Sequence, residues 1–233
     1  MTEAADNTRC GFVALIGAPN AGKSTLLNAL VGAKVSIVSR KVQTTRALVR
    51  GIALEGDAQI IFVDTPGIFA PKRRLDRAMV TSAWGGAGDA DVVALLVDSK
   101  KGIDAEVEAI LERLKDAPRK KVLVLNKIDL IPRENLLALA QDLNARCAFA
   151  ETFMVSAAKG DGVAHLRKQL ASLMKAGPWL YPEDQVSDAP LRSLAAEITR
   201  EKLFERLHDE LPYEATVETD QWKAMPDGSA RIE

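Results

Sequence analysis

Short apolar runs alternate with helix-length segments along most of this chain. The runs fall at residues 11–16, 58–63, 92–97, 122–125 and 152–155, and each is rich in Val, Ile and Leu. Between them lie segments 24–31, 104–114, 134–145 and 163–173, long enough for helices. Runs that are apolar on both faces predict buried, parallel strands, and the alternation predicts an α/β fold with a mainly parallel sheet between helices. Ligands of such sheets bind beyond the carboxyl ends of the strands.

Past residue 177 the pattern changes. Pro178 and Pro182, with no periodicity around them, predict a linker over 179–190. A stripe of Leu191, Leu194, Ala195, Ile198, Leu203, Leu207 and Leu211 predicts an amphipathic helix that Pro212 ends. Residues 213–222 read as a loose strand, and Pro226-Asp227-Gly228-Ser229 as a hairpin turn into a second strand from Ala230. The sequence stops at Glu233, inside what reads as an unpaired strand fragment, so an incomplete second unit is expected. The domain reading is therefore a tail over 1–10, one domain over 11–178, a linker over 179–190 and the start of an α+β unit over 191–233.

Composition narrows the function classes. Hydrophobic residues make up 47% and charged residues 27%, which supports a packed core and not a disordered chain. Thirty-one basic residues against 32 acidic ones leave a net charge of -1, so any nucleic-acid contact must come from a local patch. Cys10 and Cys147 are far apart and form no zinc or redox pattern, as expected of free thiols in a reducing compartment. No apolar run approaches about 18 residues, so no transmembrane helix is expected. Residues 1–9 lack the apolar segment of a secretion signal. A soluble, cytoplasmic protein is the expectation.

Gly17-Ala18-Pro19-Asn20-Ala21-Gly22-Lys23-Ser24 matches G-x-x-x-x-G-K-[ST], with Thr25 next in line, and stands between a strand and a helix. The glycines let successive backbone N–H groups converge on phosphates at a helix N-terminus. Lys23 adds a charge near the β- and γ-phosphates, and the Ser24 hydroxyl is a ligand for Mg²⁺. Asp64-Thr65-Pro66-Gly67 follows the 58–63 run. D-x-x-G alone is a common turn, but here Asp64 can reach Mg²⁺ and the Gly67 amide a γ-phosphate.

Asn126-Lys127-Ile128-Asp129 follows the 122–125 run and carries a logic specific to guanine. A carboxylate at Asp129 accepts from guanine N1–H and the 2-amino group. Adenine offers neither donor and would leave the carboxylate desolvated and unpaired. Asn126 ties the loop to its neighbours, and the Lys127 stem can lie over the base. Ser156-Ala157-Ala158-Lys159 follows the 152–155 run, where a backbone amide, that of Ala157 first, can donate to guanine O6. Ser156 reads equally as a helix N-cap.

These motifs, in this order, resemble the translation-factor-related GTPases and, within them, the Era GTPases. The resemblance runs from about Gly11 past Tyr213. Val42-Gln43-Thr44-Thr45-Arg46 is similar to the family's switch I, with Thr45 at the place of the threonine that completes Mg²⁺ coordination. Tyr181-Pro182-Glu183-Asp184, Glu197-Ile198-Thr199-Arg200-Glu201-Lys202-Leu203 and Glu210-Leu211-Pro212-Tyr213 resemble the passage from the G domain into a KH domain. The family's G-x-x-G loop, which holds RNA, is not reached before Glu233. The resemblance implies a slow GTPase with Mg²⁺ as cofactor, with Lys23, Thr45 and Gly67 in the catalytic set and Ser24, Thr45 and Asp64 on the metal. It also implies 16S rRNA and the small ribosomal subunit as partners, a role in small-subunit assembly, and peripheral association with the inner membrane.

Where Ras-like switches carry a water-positioning glutamine after the D-x-x-G glycine, this chain has Ile68. Asn20 matches the asparagine that binds K⁺ in relatives, so K⁺ is a candidate second cofactor; a loop-stabilising asparagine is the alternative. Lys72, Arg73 and Arg74, with Arg40 and Lys41, are either solvated surface or contacts for rRNA phosphates. Related GTPases of tRNA modification or large-subunit assembly, and a P-loop metabolic kinase, are the competing functions.

Overall fold

The computed structural model describes residues 8–39, 45, 48–71, 74–207 and 215–233. In chain order the elements are β1 (Arg9–Gly17), α1 (Lys23–Val31), β2 (Val49–Glu55), β3 (Ala58–Asp64), α2 (Arg74–Asp89), β4 (Val92–Asp98), α3 (Ala105–Lys115), β5 (Lys120–Asn126), α4 (Arg133–Arg146), β6 (Glu151–Met154), α5 (Val163–Ser172), β7 (Lys175–Ala176), α6 (Leu191–Arg206), β8 (Trp222–Ala224) and β9 (Ala230–Ile232). The main sheet has the order β2-β3-β1-β4-β5-β6, with β7 on the first residues of β1. All neighbours from β3 to β6 run parallel; β2 and β7 are antiparallel.

Alternation along β1 divides the core in two. Val13 and Leu15 point into one cluster with Leu26, Leu27 and Leu30 of α1 and Leu166 and Leu170 of α5. Ala14 and Ile16 point the other way, into a cluster with Val107, Ile110 and Leu111 of α3 and Leu136 and Leu143 of α4. Both sets are buried because both faces of a parallel sheet are covered. At about 25 cal/mol per Å² of apolar surface removed from water, truncating any one of these leucines to alanine costs about 2–5 kcal/mol.

The parallel core is the one the apolar runs predict, but four features differ from expectation. β2 and α2 are additional elements. Residues 179–190 are not a free linker: Gln59, fully buried, accepts from the amides of Leu180 and Tyr181 at 2.8 and 3.0 Å and donates to the Tyr181 carbonyl. The segment then runs along β2, with Ile52 N–H donating to Val186 O at 2.9 Å and Ser187 bridging Gly51. The α6 stripe is not its buried face either. Leu191 is 67% and Ile198 38% exposed, whereas Arg200, Glu201 and Phe204 are buried, because α6 turns this side to the segment after α1.

The fourth difference is in the last residues. Residues 215–221 form no strand; the strand is β8, which pairs antiparallel with β9 across Pro226–Ser229. The turn is where the sequence puts it, and the final strand is paired, not unpaired. Residues 40–44, 46, 72, 73 and 210–213, on which parts of switch I, the basic run and the helix end were read, lie outside the described residues.

Candidate guanine-nucleotide site

Five strands deliver their carboxyl ends to one edge of the sheet: Gly17 of β1, Asp64 of β3, Asp98 of β4, Asn126 of β5 and, just past β6, Ser156. The motifs that are far apart in sequence therefore meet there.

Gly22, which precedes α1, has φ 97°, a left-handed value that suits glycine, and a Cβ at this point would lie 2.3 Å from Asn126 Nδ2. Asn20 adopts φ 63°, tolerated by asparagine. Lys23 is buried with its ammonium donating to the carbonyls of Gly17 and Ala18 at 3.1 and 3.0 Å. Desolvation lowers its pKa from 10.5 to about 8, against the opposing charges of Asp64 and Glu106. Among the described residues no carboxylate pairs with this buried ammonium, which leaves it poised for an anion. Gly67 is pressed on the phosphate loop: a Cβ there would stand 3.0 Å from Pro19 Cα. Thr65 and Pro66 lead into it, with Thr65 Oγ1 donating to Leu15 O at 2.8 Å.

Ser24, Thr45 and Asp64 converge. Ser24 Oγ is 2.6 Å and Thr45 Oγ1 3.3 Å from Asp64 Oδ2, and the two hydroxyls lie 3.0 Å apart. Ser36 donates to the same oxygen at 3.1 Å. Asp64 is fully buried, and its other oxygen, Oδ1, has no hydrogen-bond partner among the described residues. Desolvation raises its pKa, with Lys23 and the three hydroxyls pulling the other way. One buried carboxylate with an unpartnered oxygen beside two hydroxyls is a hard-oxygen donor set, which fits Mg²⁺ completed by phosphate oxygens and water. Among the described residues no three His, Cys, Asp or Glu side chains form a cage of their own, so a cation here depends on its ligand's oxygens.

The base corner is locked by Asn126, 1% exposed. Its Nδ2 donates to Ala21 O at 2.9 Å, and its Oδ1 accepts from the amides of Lys127 and Ala157 at 2.8 and 3.0 Å. The Ala157 amide is thus committed to Asn126, not free for a base carbonyl as expected, and a ligand would have to share it; Ala158 follows in the same turn. Lys127, at φ 63°, sends its ammonium to Asn20 O at 2.7 Å and Asp98 Oδ2 at 2.6 Å. Ile128 and Asp129 form a short 3-10 turn. Ser156 Oγ donates to Asp129 Oδ1 at 2.7 Å, and this bond is the main cause that holds the Asp129 carboxyl below the usual range. Ser156 caps no helix: α5 begins seven residues later behind Gly162. A cavity of about 1030 Å³ opens beside these groups.

Ile68 is 6% exposed and packs with Ala14, Ile16 and Ala83, so no side chain at this place reaches toward the phosphate cradle. Sequence reasoning missed Ser36, which carries no motif. It also missed Asp98, whose place at the end of an apolar run was a usable signal.

A P-loop on a parallel sheet, a hydroxyl–carboxylate cluster beside it and an Asn/Asp/Ser corner place the protein in the class of guanine-nucleotide hydrolases. The family profile described as "50S ribosome-binding GTPase" matches residues 12–127. GTPase Era of Afipia carboxidovorans is 68% identical over 231 residues, which cover 99% of this chain and 75% of the relative. GTPase Era of Agrobacterium fabrum is 65% identical over 226 residues, 97% of this chain and 71% of that one. The crystal structure of Era in complex with MgGDPNP and nucleotides 1506–1542 of 16S ribosomal RNA superposes with a TM-score of 0.89 at 38% identity, covering 95% of this chain and 76% of that one. Aquifex aeolicus Era bound to GDP and AlF4⁻ matches equally, with a TM-score of 0.89. The chain belongs to the Era family of GTPases, and it binds and hydrolyses GTP. A metabolic kinase is thereby excluded.

Proposed function

We propose that this chain is a GTP-gated switch that binds small-subunit rRNA and assists assembly of the small ribosomal subunit, with residues 191–233 as the opening part of a KH-type RNA-binding unit. The observation that carries the switch is the Ser24–Thr45–Asp64 cluster with its unpartnered Asp64 oxygen. It joins the phosphate cradle to the segment before β2 and would loosen when the γ-phosphate leaves. In this reading Ser24, Thr45 and Asp64 hold Mg²⁺, which supplies charge stabilisation at the phosphates. Gly17 to Thr25, with Thr65 to Ile68, form the phosphate wall, and the Gly67 amide donates to the γ-phosphate. Asn126 to Asp129 and Ser156 to Ala158 hold guanine, with Asp129 accepting from N1–H and the 2-amino group.

With Ile68 packed away, chemistry relies on Lys23, the Thr45 segment and fixed backbone donors, which makes hydrolysis slow. Asn20 is the candidate ligand for a K⁺ ion that would add positive charge at the transition state. Equal single-turnover rates in K⁺ and Na⁺ at one ionic strength would remove K⁺ from the reading.

The RNA assignment draws on the solved Era complex with a 16S rRNA fragment. Its test is fluorescence anisotropy with a labelled RNA of that sequence, with GDPNP or GDP bound. Tighter binding with GDPNP supports the proposal; no binding with either nucleotide rejects the RNA half for this chain. A second reading, action on the large subunit, is favoured by the description of the matching family profile. Co-sedimentation with purified small and large subunits separates the two. Work in the cytoplasm, with association at the inner-membrane periphery, belongs to the same proposal and is checked by fractionation; among the described residues no helix is long and apolar enough to cross a membrane.

A further inference from the structure

Ser36 is buried against Asp64, and no phosphate or base motif accounts for it. It is 3% exposed, and its hydroxyl donates to Asp64 Oδ2 at 3.1 Å, that hydroxyl's one hydrogen bond among the described residues. The residue is held there by α1. This helix ends at Gly32, whose φ of 79° and N–H bond to Asn28 O at 2.9 Å turn the chain back. The returning segment then meets the Asn28 side chain. Asn28 Oδ1 accepts from the amides of Val35 and Ser36, both at 2.9 Å, and its Nδ2 donates to Ser36 O at 2.8 Å. Three hydrogen bonds from one side chain thus fix the backbone on either side of the Ser36 hydroxyl.

A carboxylate turns about its last torsion with little intrinsic preference, so the donors around Asp64 decide which oxygen faces where. Ser24 and Thr45 also donate to Oδ2, but both belong to the metal set, and an arriving ion draws on their oxygens. Ser36 stands outside that set, and its bond to Oδ2 can persist with the metal bound or absent. We propose that Ser36 is a positioning residue of the Mg²⁺ site: gripped by Asn28, its hydroxyl holds Asp64 Oδ2 and leaves Oδ1 for the metal. The inference rests on the proposed reading of Ser24, Thr45 and Asp64 as the metal site. A group that orients a metal ligand through a hydrogen bond carries roughly 10–100-fold in metal affinity.

The test is release of fluorescent N-methylanthraniloyl-GDP as a function of Mg²⁺ concentration, with EDTA as the metal-free limit. Ser36→Ala is expected to raise the Mg²⁺ concentration that halves the release rate by about tenfold, while the rate in EDTA stays that of the unmodified chain. Asn28→Ala should shift the Mg²⁺ dependence in the same direction. Ser36→Thr keeps the hydroxyl, and Ser36 lines a cavity of about 610 Å³ that can take the extra methyl, so its Mg²⁺ dependence should match the unmodified chain. If Asp64→Asn raises the Mg²⁺ requirement while Ser36→Ala does not, the inference is overturned and the site reading stands. Equal acceleration by Ser36→Ala with and without Mg²⁺ would make the residue structural only and overturns it too, as would Ser36→Thr as impaired as Ser36→Ala. If Asp64→Asn leaves the Mg²⁺ dependence unchanged, the site reading fails first and takes the inference with it.

Discussion

Asn126 Nδ2 donates to the carbonyl oxygen of Ala21 at 2.9 Å, fastening the loop behind β5 to the loop behind β1. The same side chain accepts two amides through Oδ1, so base corner and phosphate cradle share one buried hub.

Asn126→Ala is therefore expected to disturb both halves. It strands the amides of Lys127 and Ala157 and the carbonyl of Ala21, at about 1–3 kcal/mol in all once water repairs part of the loss. GDP affinity should fall by roughly tenfold or more. Calorimetric titration, with thermal unfolding as the stability readout, checks it.

Asp129→Asn replaces an acceptor-only group by one that presents an amide donor. The site then clashes with guanine's 2-amino donor and suits the carbonyl of xanthine at that position. GDP binding should weaken by about 3 kcal/mol, and xanthosine diphosphate should become the preferred ligand. Competition between the two diphosphates measures the reversal.

Lys23 gives a proton signature. Its pKa in the nucleotide-free protein is about 8, below the ordinary 10.5 because burial disfavours the ammonium. Between those values the folded state holds fewer protons than the unfolded one, so this group's contribution to stability rises with pH from about 8 to 10.5. Bound phosphates restore the charge. At pH 8, GDP binding should take up about half a proton, and its affinity should decline as pH rises further. Titration calorimetry in two buffers of different ionisation enthalpy gives the number directly; no uptake would contradict the account.

Gly67→Ala puts a methyl 3.0 Å from Pro19 Cα, a backbone atom that has little room to yield. The loop must retreat from the phosphate cradle, at about 1–3 kcal/mol. Because the Gly67 amide is proposed to serve only the γ-phosphate, GTP-analogue binding and hydrolysis should suffer more than GDP binding. Parallel titrations with GDP and GDPNP separate the effects.

The legible parts of this molecule were those whose cause is local. β3 and β4 are buried at every residue, and the largely apolar runs 58–63, broken only by Gln59, and 92–97 state this outright. β2 was illegible because Gly51 and Ala53 dilute its pattern; Gly51 is small because Leu27, Val31 and Val35 pack where its side chain would be. α2 was hidden by Gly85, Gly86 and Gly88, which read as loop and are helical only because the sheet supports them. The phosphate and base motifs were readable since each is contiguous. Ser36 on Asp64, Asp98 on Lys127 and Glu201 on Val38 were not, since these contacts exist only after distant segments meet. The α6 stripe misled for the complementary reason: periodicity finds an apolar face, whereas this helix is seated on Glu201, Arg200 and Phe204.

The segment that lies along β2 has a consequence for the life of the protein in solution. β2 is the outermost strand on its side of the sheet, and an outermost strand offers a ready row of amides and carbonyls to any extended chain. Val186 and Ser187 occupy that row at Ile52 and Gly51. The segment thus acts as a guard against self-templating: with it displaced, a second copy could pair where it now lies. Damage to this strap would show first as loss of solubility at high concentration.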